Sequence, residues 1–218
     1  MKPIFALFTL IAALLLTGCV KPVQHDYSAF KQSKPRSILV LLPQNSSPEV
    51  EASHGLLSQV TLPLAEAGYY VFPVAVVEET FKQNGVTNAN DINAVSLTKL
   101  HQIFGADAVL YLTVSQYGTS YKVITSDTRV TASAKLVDLR DGKLLWSGSA
   151  TASSTENDSN SGDLWSMLIV AMVKQIGNSL ADKSHDIAGK TSYRLLSAGT
   201  PNGILYGPRS LKYGKDAQ

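Results

Sequence analysis

Cysteine is nearly absent from this sequence, and so is any strong imbalance of charge. Among 218 residues Cys19 is the only cysteine, so the chain cannot close a disulfide within itself. The net charge of +2 gives no argument for binding nucleic acid or an acidic partner. We therefore expect a domain that is stabilised by packing alone and that has no nucleic-acid partner.

The sequence also lacks an apolar run long enough to cross a bilayer. The longest run, Ile4 to Leu16, has 13 residues and is broken only by Thr9, whereas a membrane-spanning helix needs about 20. With Lys2 before it, this run is typical of a signal peptide. Leu164 to Val173 is shorter and is interrupted by Ser166, which favours a buried helix.

The apolar run leads directly into Leu16-Thr17-Gly18-Cys19. Small residues at Thr17 and Gly18 fit a peptidase cleft, and the Cys19 thiol can accept diacylglycerol. We therefore predict a signal peptide over residues 1–18 and a covalent anchor of diacylglycerol and an N-acyl chain on Cys19, with no other cofactor and no metal. Several acyl chains make such an anchor effectively permanent. An ordinary secretory signal with an incidental cysteine is the alternative.

The residues after the cysteine predict where the protein is held. An aspartate after the lipidated cysteine favours inner-membrane retention in enteric-type bacteria, and Val20 therefore favours the outer membrane, with the domain in the periplasm. Residues 19–35 are polar and contain Lys21, Lys31 and Lys34. We predict a flexible tether there, with an end-to-end distance of roughly 20–25 Å.

Two kinds of strand are indicated in the remaining chain. Ile38–Leu42 and Ala108–Val114 are almost continuously apolar, which is typical of strands covered on both faces, and Tyr69–Phe72 is a shorter strand. From Arg129 to Leu136 apolar and polar residues alternate, which predicts a half-exposed antiparallel strand. Asp141-Gly142 then predicts a hairpin turn into Leu144-Leu145-Trp146.

Helical patterns separate these strands. The first is expected to begin at Ser47-Pro48 and to end at Gly68, with Pro63 as a kink or restart. Further helices are expected over Val74–Gln83, from near Asn90 or Asp91 to Gly105 and from about Asp163 to Asp182. The order β-α-β-α-α-β-β-β-α predicts one α/β domain over residues 36–184 with a mixed parallel and antiparallel sheet. Residues 185–218 are expected to form an irregular C-terminal tail, and residues 151–163 a mobile loop.

Several segments resemble one bacterial lipoprotein family of the meningococcal surface-antigen type, whose shared domain has no assigned function. The segments that carry the resemblance are Pro63–Val74, Phe104–Tyr111, Asp141–Trp146 and Asn202–Arg209. The resemblance implies distant similarity to the curli-secretion-channel lipoprotein and to the amino-terminal domain of the Tol-system propeller protein. It also implies an envelope complex with other lipoproteins. The family brings no catalytic residues to carry over.

Residue patterns for catalysis are sparse. There is no GxSxG elbow, glycine-rich phosphate loop or HExxH motif. Three segments imitate the motifs of penicillin-recognising serine enzymes: Ser96-Leu97-Thr98-Lys99, Ser126-Asp127-Thr128 and Lys190-Thr191-Ser192. The third lacks its glycine, and we interpret all three as chance matches.

Other residues that could build a site are isolated. The histidines, at 25, 54, 101 and 185, have no ligand spacing, and Glu78 and Glu79 point in different directions on a helix. Trp146, Tyr111 and Tyr117 are expected in the core rather than in a ligand cleft. We therefore predict that the protein is not an enzyme.

The leading functional hypothesis is a tethered, non-enzymatic scaffold or accessory subunit of an envelope assembly, secretion complexes among them. Its partners are expected to be other envelope lipoproteins or a second copy of the chain. A meander over Tyr121–Thr151 is expected to leave an edge strand whose exposed face bears Arg129, Thr131, Ser133 and Lys135. This strand either serves assembly or is merely an exposed edge that its charges protect. The alternative is a periplasmic module that binds a small molecule or a peptidoglycan fragment, with an envelope hydrolase third.

Overall fold

The structure, a computed structural model, describes residues 25–121, 126–156 and 180–216. Its strands are β1 (Ser37–Val40), β2 (Gln44–Asn45), β3 (Tyr70–Val71), β4 (Ala108–Gln116), β5 (Thr119–Tyr121), β6 (Ser126–Asp138) and β7 (Leu144–Ser153). Its helices are α1 (Ser28–Ser33), α2 (Ala52–Glu66), α3 (Val74–Gln83), α4 (Ala89–Asn93), α5 (Leu97–Phe104) and α6 (Leu180–Leu196).

The strands form one mixed sheet in which β1 pairs with β3 and β4, and β6 lies between β4 and β7. The short strand β2 pairs with β4, and β5 pairs with the start of β6. The pairs joined by helical crossovers, β1 with β3 and with β4, are parallel, whereas β6 is antiparallel to β4 and β7. The predicted α/β class with a mixed sheet is confirmed.

The two predicted interior strands lie at the centre of the core. Ile38, Leu39 and Val40 on β1 are at most 1% exposed, and Ala108, Val109 and Leu110 on β4 are fully buried. Successive residues of a strand point to opposite faces, so both faces of the sheet are covered at this place. Helices α2 and α6 pack together on one of these faces.

The alternation predicted for β6 is also confirmed. Val130, Ala132, Ala134 and Leu136 are buried, whereas Arg129, Ser133 and Lys135 are exposed and Thr131 is half-buried. The buried phase continues to Asp138, the last residue of the strand. The edge position predicted for this strand is wrong, because β6 is paired on both sides and β7 is the outer strand.

Two predicted helix starts are displaced by local side-chain hydrogen bonds. The Asn45 carboxamide oxygen accepts bonds from the Ser47 backbone N–H and hydroxyl at 2.8 and 2.7 Å, so this serine belongs to a turn and α2 begins only at Ala52. The single helix predicted from Asn90 to Gly105 is divided into α4 and α5. The Ser96 hydroxyl accepts the Lys99 backbone N–H at 3.3 Å and begins α5 as its N-cap.

The C-terminal region departs most from the predicted organisation. The sequence predicts an irregular tail from residue 185, whereas α6 continues to Leu196 and buries one side. The buried side chains recur at helical spacing: Ile187, Ala188, Thr191, Ser192, Leu195 and Leu196. Thr191 and Ser192 interrupt the apolar stripe and conceal it in the sequence. Most of the helix predicted over 163–182 lies outside the described residues, and residues 151–153 of the predicted loop belong to β7.

Candidate functional site

The predicted lipidation motif precedes the described part of the chain. Leu16, Thr17, Gly18 and Cys19 lie outside the described residues, so the lipid anchor stays a prediction. Its relation to the domain is nevertheless constrained by the residues that follow. His25, the first residue that the structure describes, already contacts the domain, because its backbone N–H donates to the Asn202 side-chain oxygen at 3.0 Å.

The segment predicted as a flexible tether is docked from residue 25 onward. The Tyr27 hydroxyl donates to the Gly203 carbonyl at 2.5 Å, α1 follows directly, and Phe30 is only 4% exposed within the core. The tether prediction for residues 19–35 is therefore wrong from residue 25 to residue 35, since burial of aromatic groups outweighs the polar composition. Only residues 20–24 separate Cys19 from His25, which limits that distance to about 20 Å.

An ion pair between the buried Asp138 carboxylate and the exposed Arg140 side chain fastens α1 to the turn between β6 and β7. The Arg140 guanidinium donates to both carboxylate oxygens of Asp138, at 2.9 and 2.6 Å, and to the Ser33 carbonyl at 2.8 Å. The Ser33 hydroxyl also donates to Asp138 at 2.6 Å. Burial alone would raise the pKa of Asp138, but the hydrogen bonds from Arg140 and Ser33 outweigh it and lower the pKa to about 2.

This cluster is not among the sites predicted from the sequence, although the sequence contains a signal for it. Asp138 falls on the buried phase of the β6 alternation, two residues after Leu136, where a carboxylate needs a partner. Arg140 follows two residues later and supplies that partner. A small polar cavity of about 180 Å³ lies beside this ion pair. Asp138 and Arg140 form part of its lining, together with Gln32, Asp141 and Lys143.

Asp138→Asn should lower the free energy of unfolding at pH 7 by about 2 kcal/mol, because a pKa of about 2 lies nearly two units below the usual aspartate value. A lowered folded-state pKa contributes stability that is complete above the unfolded value near pH 4 and is lost as the pH falls toward 2. Denaturant titrations between about pH 2 and pH 7 should therefore show a shallower acid decline in the variant. Glu79→Gln, at an exposed carboxylate on α3, is the control, and equal acid slopes for wild type and Asp138→Asn would contradict the assignment.

A second feature is an open polar face on the antiparallel half of the sheet, which we call the hydroxyl face. It consists of outward-pointing residues on β4, β6 and β7: Thr113, Thr131, Ser133, Ser147, Ser149 and Thr151. Hydroxyl groups bridge two of its strands, since the Thr131 and Thr151 hydroxyls lie 3.0 Å apart. Lys135 and Arg129 are exposed on the same face, which no described helix covers at Ser133 and Ser149.

The outer edge of β7 adjoins the hydroxyl face. The Arg129 backbone N–H donates to the Gly118 carbonyl, on the β5 side, at 2.9 Å, and the Ser154 N–H donates to the Thr128 carbonyl at 2.8 Å. The backbone N–H and C=O groups of odd-numbered β6 residues therefore point away from β7. The register pairs Ser133 with Ser149, and the backbone groups of Ser149 therefore point away from β6 as well. At Thr151 the outward carbonyl accepts Arg194 at 2.7 Å. No described strand pairs with this edge.

A cleft of about 280 Å³ separates α1 from the C-terminal segment. Its lining combines aromatic and cationic side chains, among them Phe30, Lys31, Lys34, Tyr69, Tyr206 and Tyr213. Ligand pockets usually enclose about 300–1,000 Å³, so this cleft suits at most a small fragment. Of the aromatic residues considered from the sequence, Trp146 is buried and donates to the Asn202 carbonyl at 2.9 Å, and Tyr111 and Tyr117 are partly buried against the core.

The segments that imitate a serine enzyme are not brought together. Leu97, next to Ser96, contacts Gly142 at the Asp138 end of β6, whereas Asp127 lies at the opposite end of that strand. Ten residues of strand lie between Asp127 and Asp138, which places the two roughly 35 Å apart. Thr191 is buried and donates to the Ile187 and Val130 carbonyls. These residues therefore share no active site.

The histidines are likewise dispersed over the described residues. His54 lies 3.0 Å from Glu78, His101 contacts the Ala106 carbonyl at 2.9 Å, and His185 contacts Gln59. Within residues 25–121, 126–156 and 180–216, no group of three or more potential ligands could hold a metal ion. Glu79 points away from His54 and accepts a bond from Gln83 at 3.1 Å.

Comparison with known proteins decides the family. Residues 25–209 match the family described as "Putative lipoprotein GNA1162-like". The chain belongs to this family. It is 56% identical over 211 residues to the lipoprotein NMB1124/NMB1162 of Neisseria meningitidis serogroup B, covering 96% of this chain and 97% of that one. The family predicted from the sequence segments is confirmed.

One solved structure agrees with this membership. The crystal structure of lipoprotein GNA1162 from N. meningitidis is 62% identical, has a TM-score of 0.55, and covers 66% of this chain and 100% of that chain. The PelC dodecamer from Paraburkholderia phytofirmans is similar at 15% identity and a TM-score of 0.42, over 73% of this chain and 88% of that one, which is too low to inform function. Among the described residues, no helix of this GNA1162-like chain has both the length and the apolar character to cross a membrane.

The segments that carry the family resemblance converge at one end of the domain. The Gly207 and Arg209 backbone N–H groups donate to the Ala67 and Gly68 carbonyls at 2.8 and 3.1 Å. A β-carbon at Gly207 would lie 2.6 Å from the Gly68 oxygen, so this approach requires glycine. The same end receives the docked segment that begins at His25. We call it the anchor end, defined by Ser37, Gly68, Ala108, Asp138 and Gly207.

Proposed function

We propose that this protein is an outer-membrane-anchored periplasmic lipoprotein that serves as a non-enzymatic structural subunit of an envelope assembly. Membership in a lipoprotein family and the motif ending at Cys19 support the anchor. The observation that carries the assembly role is the outer edge of β7 beside the hydroxyl face. An edge strand presents backbone donors and acceptors that another strand can pair with.

The middle of β7 has few of the features that protect sheet edges from association. Charged residues and proline are absent from its ten residues, Leu144–Ser153. Gly148 and Ala150 also lack side chains long enough to cover the backbone of the strand. Natural edge strands are usually protected by lysine, proline or a bulge. Here the Arg194 side chain binds the Thr151 carbonyl and the Glu156 carboxylate, and the stretch around Ser149 stays available.

We take a second copy of the chain as the occupant of this edge. Two β7 strands related by a twofold axis would pair antiparallel, and such an isologous interface brings each strand against itself. A charged strand would repel its copy in this arrangement, whereas β7 carries no charge from residue 144 to residue 153. The hydroxyl faces of the two copies would then form one continuous polar surface on which further envelope subunits could assemble.

A photo-crosslinking amino acid at Ser149 should capture a second copy in intact membranes, and one at Ser133 should capture it with lower yield. Both side chains are exposed on the hydroxyl face, and Ser149 is on its outer strand. Lys82, exposed on α3, is the matched control and should capture nothing. Capture from Lys82 alone would reverse the assignment of the surface, and capture of a different envelope lipoprotein from Ser149 would replace the second copy with that partner.

Ser149→Pro separates pairing from folding. The Ser149 N–H points away from β6, so its loss should leave the domain stable while removing a donor from the outer edge. Ala150→Pro is the contrasting variant, because its N–H points toward β6 and its loss should destabilise the sheet. The photo-crosslinker at Ser133 reports the pairing in this variant. If the Ser149→Pro protein melts like wild type but no longer forms the crosslink from position 133, edge pairing is supported. An unchanged yield of that crosslink contradicts edge pairing.

The cleft beside α1 favours the second candidate, a module that binds a small molecule or peptidoglycan fragment. Its tyrosines and lysines could hold a small anionic fragment. A binding module should gain thermal stability with soluble muropeptides, and Tyr213→Ala should abolish that gain. No change in melting temperature over a range of fragments, together with capture from Ser149, would leave assembly as the function.

A further inference from the structure

We propose that the C-terminal turn at residues 209–215 is a second membrane contact, which inserts Leu211 into the headgroup region of the bilayer that holds the lipid anchor. This inference rests on the proposed anchor at Cys19. Leu211 is 96% exposed, the highest value among the large apolar side chains described. A single exposed leucine is common on protein surfaces, so the inference depends on the residues that surround Leu211 and on its place in the fold.

The residues around Leu211 are those that favour a membrane interface. Arg209, Lys212 and Lys215 are exposed beside it, and Tyr213 is 43% exposed. Basic residues attract anionic headgroups, and tyrosine with leucine fits the boundary between headgroups and acyl chains. Two of the cations rest on aromatic rings, since Arg209 lies 5.4 Å from the Tyr70 ring centre and Lys212 lies 5.6 Å from that of Tyr206.

The turn lies at the anchor end of the domain. Arg209 bonds to Gly68 there, and the cleft that α1 shares with the C-terminal segment is lined by Lys31 and Lys34 on one side and by Tyr213 on the other. These two lysines are exposed and extend the basic surface. Because five residues at most span the gap from Cys19 to His25, the bilayer is within about 20 Å of this end.

Asp107 and Asp216 reduce the positive charge at this end but do not cancel it, because a hydrogen bond to a backbone N–H leaves a carboxylate charged. These two negative charges face five positive ones, on Lys31, Lys34, Arg209, Lys212 and Lys215. Asp216 is engaged with the Tyr206 backbone N–H at 2.7 Å, and Asp107 with the Arg36 and Ser37 backbone at 2.8 and 3.1 Å. No ion pair of the described residues includes Arg209, Lys212 or Lys215. The cations therefore remain available to lipid phosphates.

A fluorophore attached at Leu211→Cys tests the contact in the full lipidated protein. Cys19 is the only native cysteine, so an acylated protein has one free thiol, at the introduced position. The protein is reconstituted into vesicles of phosphatidylethanolamine and phosphatidylglycerol that contain a headgroup quencher. Val50→Cys is the matched control, because Val50 is 85% exposed and precedes α2, whose other end contacts the anchor end, roughly 25 Å away.

The label at position 211 should be quenched several-fold more than the label at position 50. The difference should shrink in phosphatidylcholine vesicles and with Lys212→Glu and Lys215→Glu, with each lost cation weakening the contact about fivefold. Flotation of the protein with the vesicles but equal quenching at both positions would overturn this inference alone. Failure to float would overturn the anchor, and the inference with it. Capture of a protein in place of lipid by a photo-crosslinker at Leu211 would also overturn it.

Discussion

Leu110→Asp should unfold the domain. Leu110 is fully buried on β4, between β1 and β6 in the sheet, and pairs with Val40 and Leu136. An aspartate there would place a carboxylate among apolar side chains without a partner, at a cost of several kcal/mol. Domains of this size are stable by about 5–15 kcal/mol, so the substitution removes a large share of that margin. Circular dichroism should show a lost or strongly lowered thermal transition.

The matched control is the same substitution at an exposed leucine. Leu211→Asp changes the same side chain at a position that is 96% exposed, and it should leave the melting temperature unchanged. Val40→Asp, on the neighbouring strand and 1% exposed, should repeat the effect of Leu110→Asp. If Leu110→Asp melted within about a degree of wild type, β4 would not be the centre of the sheet.

The sequence predicts the strands of this fold well. Continuous apolar runs such as Ile38–Leu42 need cover on both faces, and the alternation from Arg129 to Leu136 leaves one face open. Both patterns follow from the period of a strand, which does not depend on distant residues. The neighbours of each strand are set by the whole topology, and for that reason β6 was expected at an edge that β7 occupies.

The helices were harder to predict at their ends and where polar residues are buried. Ser47 has the side chain of an N-cap, but the Asn45 oxygen binds its hydroxyl and N–H, so α2 begins later. In α6 the buried Thr191 hydroxyl bonds to two carbonyls. These hydrogen bonds satisfy the buried hydroxyl. In the sequence, however, the polar residues of this stretch conceal the buried side of the helix. Side-chain hydrogen bonds of this kind depend on tertiary contacts.

The anchor end could be predicted only in its parts. The motif ending at Cys19 and the segments 63–74 and 202–209 are visible in the sequence, but their convergence requires the contact of Gly207 with Gly68 across 139 positions of chain. The docking of residues 25–35 depends equally on distant partners, Asn202 and Gly203 for the first residues and Asp138 for Ser33. A short polar segment therefore resembled a linker although it is part of the domain.

Val20→Asp is the control for the anchor, since it keeps the cysteine and changes only the residue that we predict directs sorting. In an enteric host it should retain lipid labelling and move the protein from the outer to the inner membrane fraction. Density-gradient separation of the two membranes measures this directly. Outer-membrane location of both Val20→Asp and wild type would contradict the sorting role of this position while leaving lipidation intact.

Cys19→Ala should abolish incorporation of an alkyne palmitate analogue and leave an unprocessed or mislocalised precursor. No second cysteine exists that could accept the diacylglycerol, so the expected loss of label is complete rather than partial. Three acyl chains give essentially irreversible attachment, whereas the turn at Leu211 offers one apolar side chain and a few cations. Any precursor that is still secreted and cleaved should therefore leave the membrane at high salt, which screens the remaining basic contact. Equal labelling of wild type and Cys19→Ala would remove the anchor from the proposed function. Labelling lost together with salt-resistant membrane binding of the cleaved form would show that an attachment other than the lipid and the basic turn holds the domain.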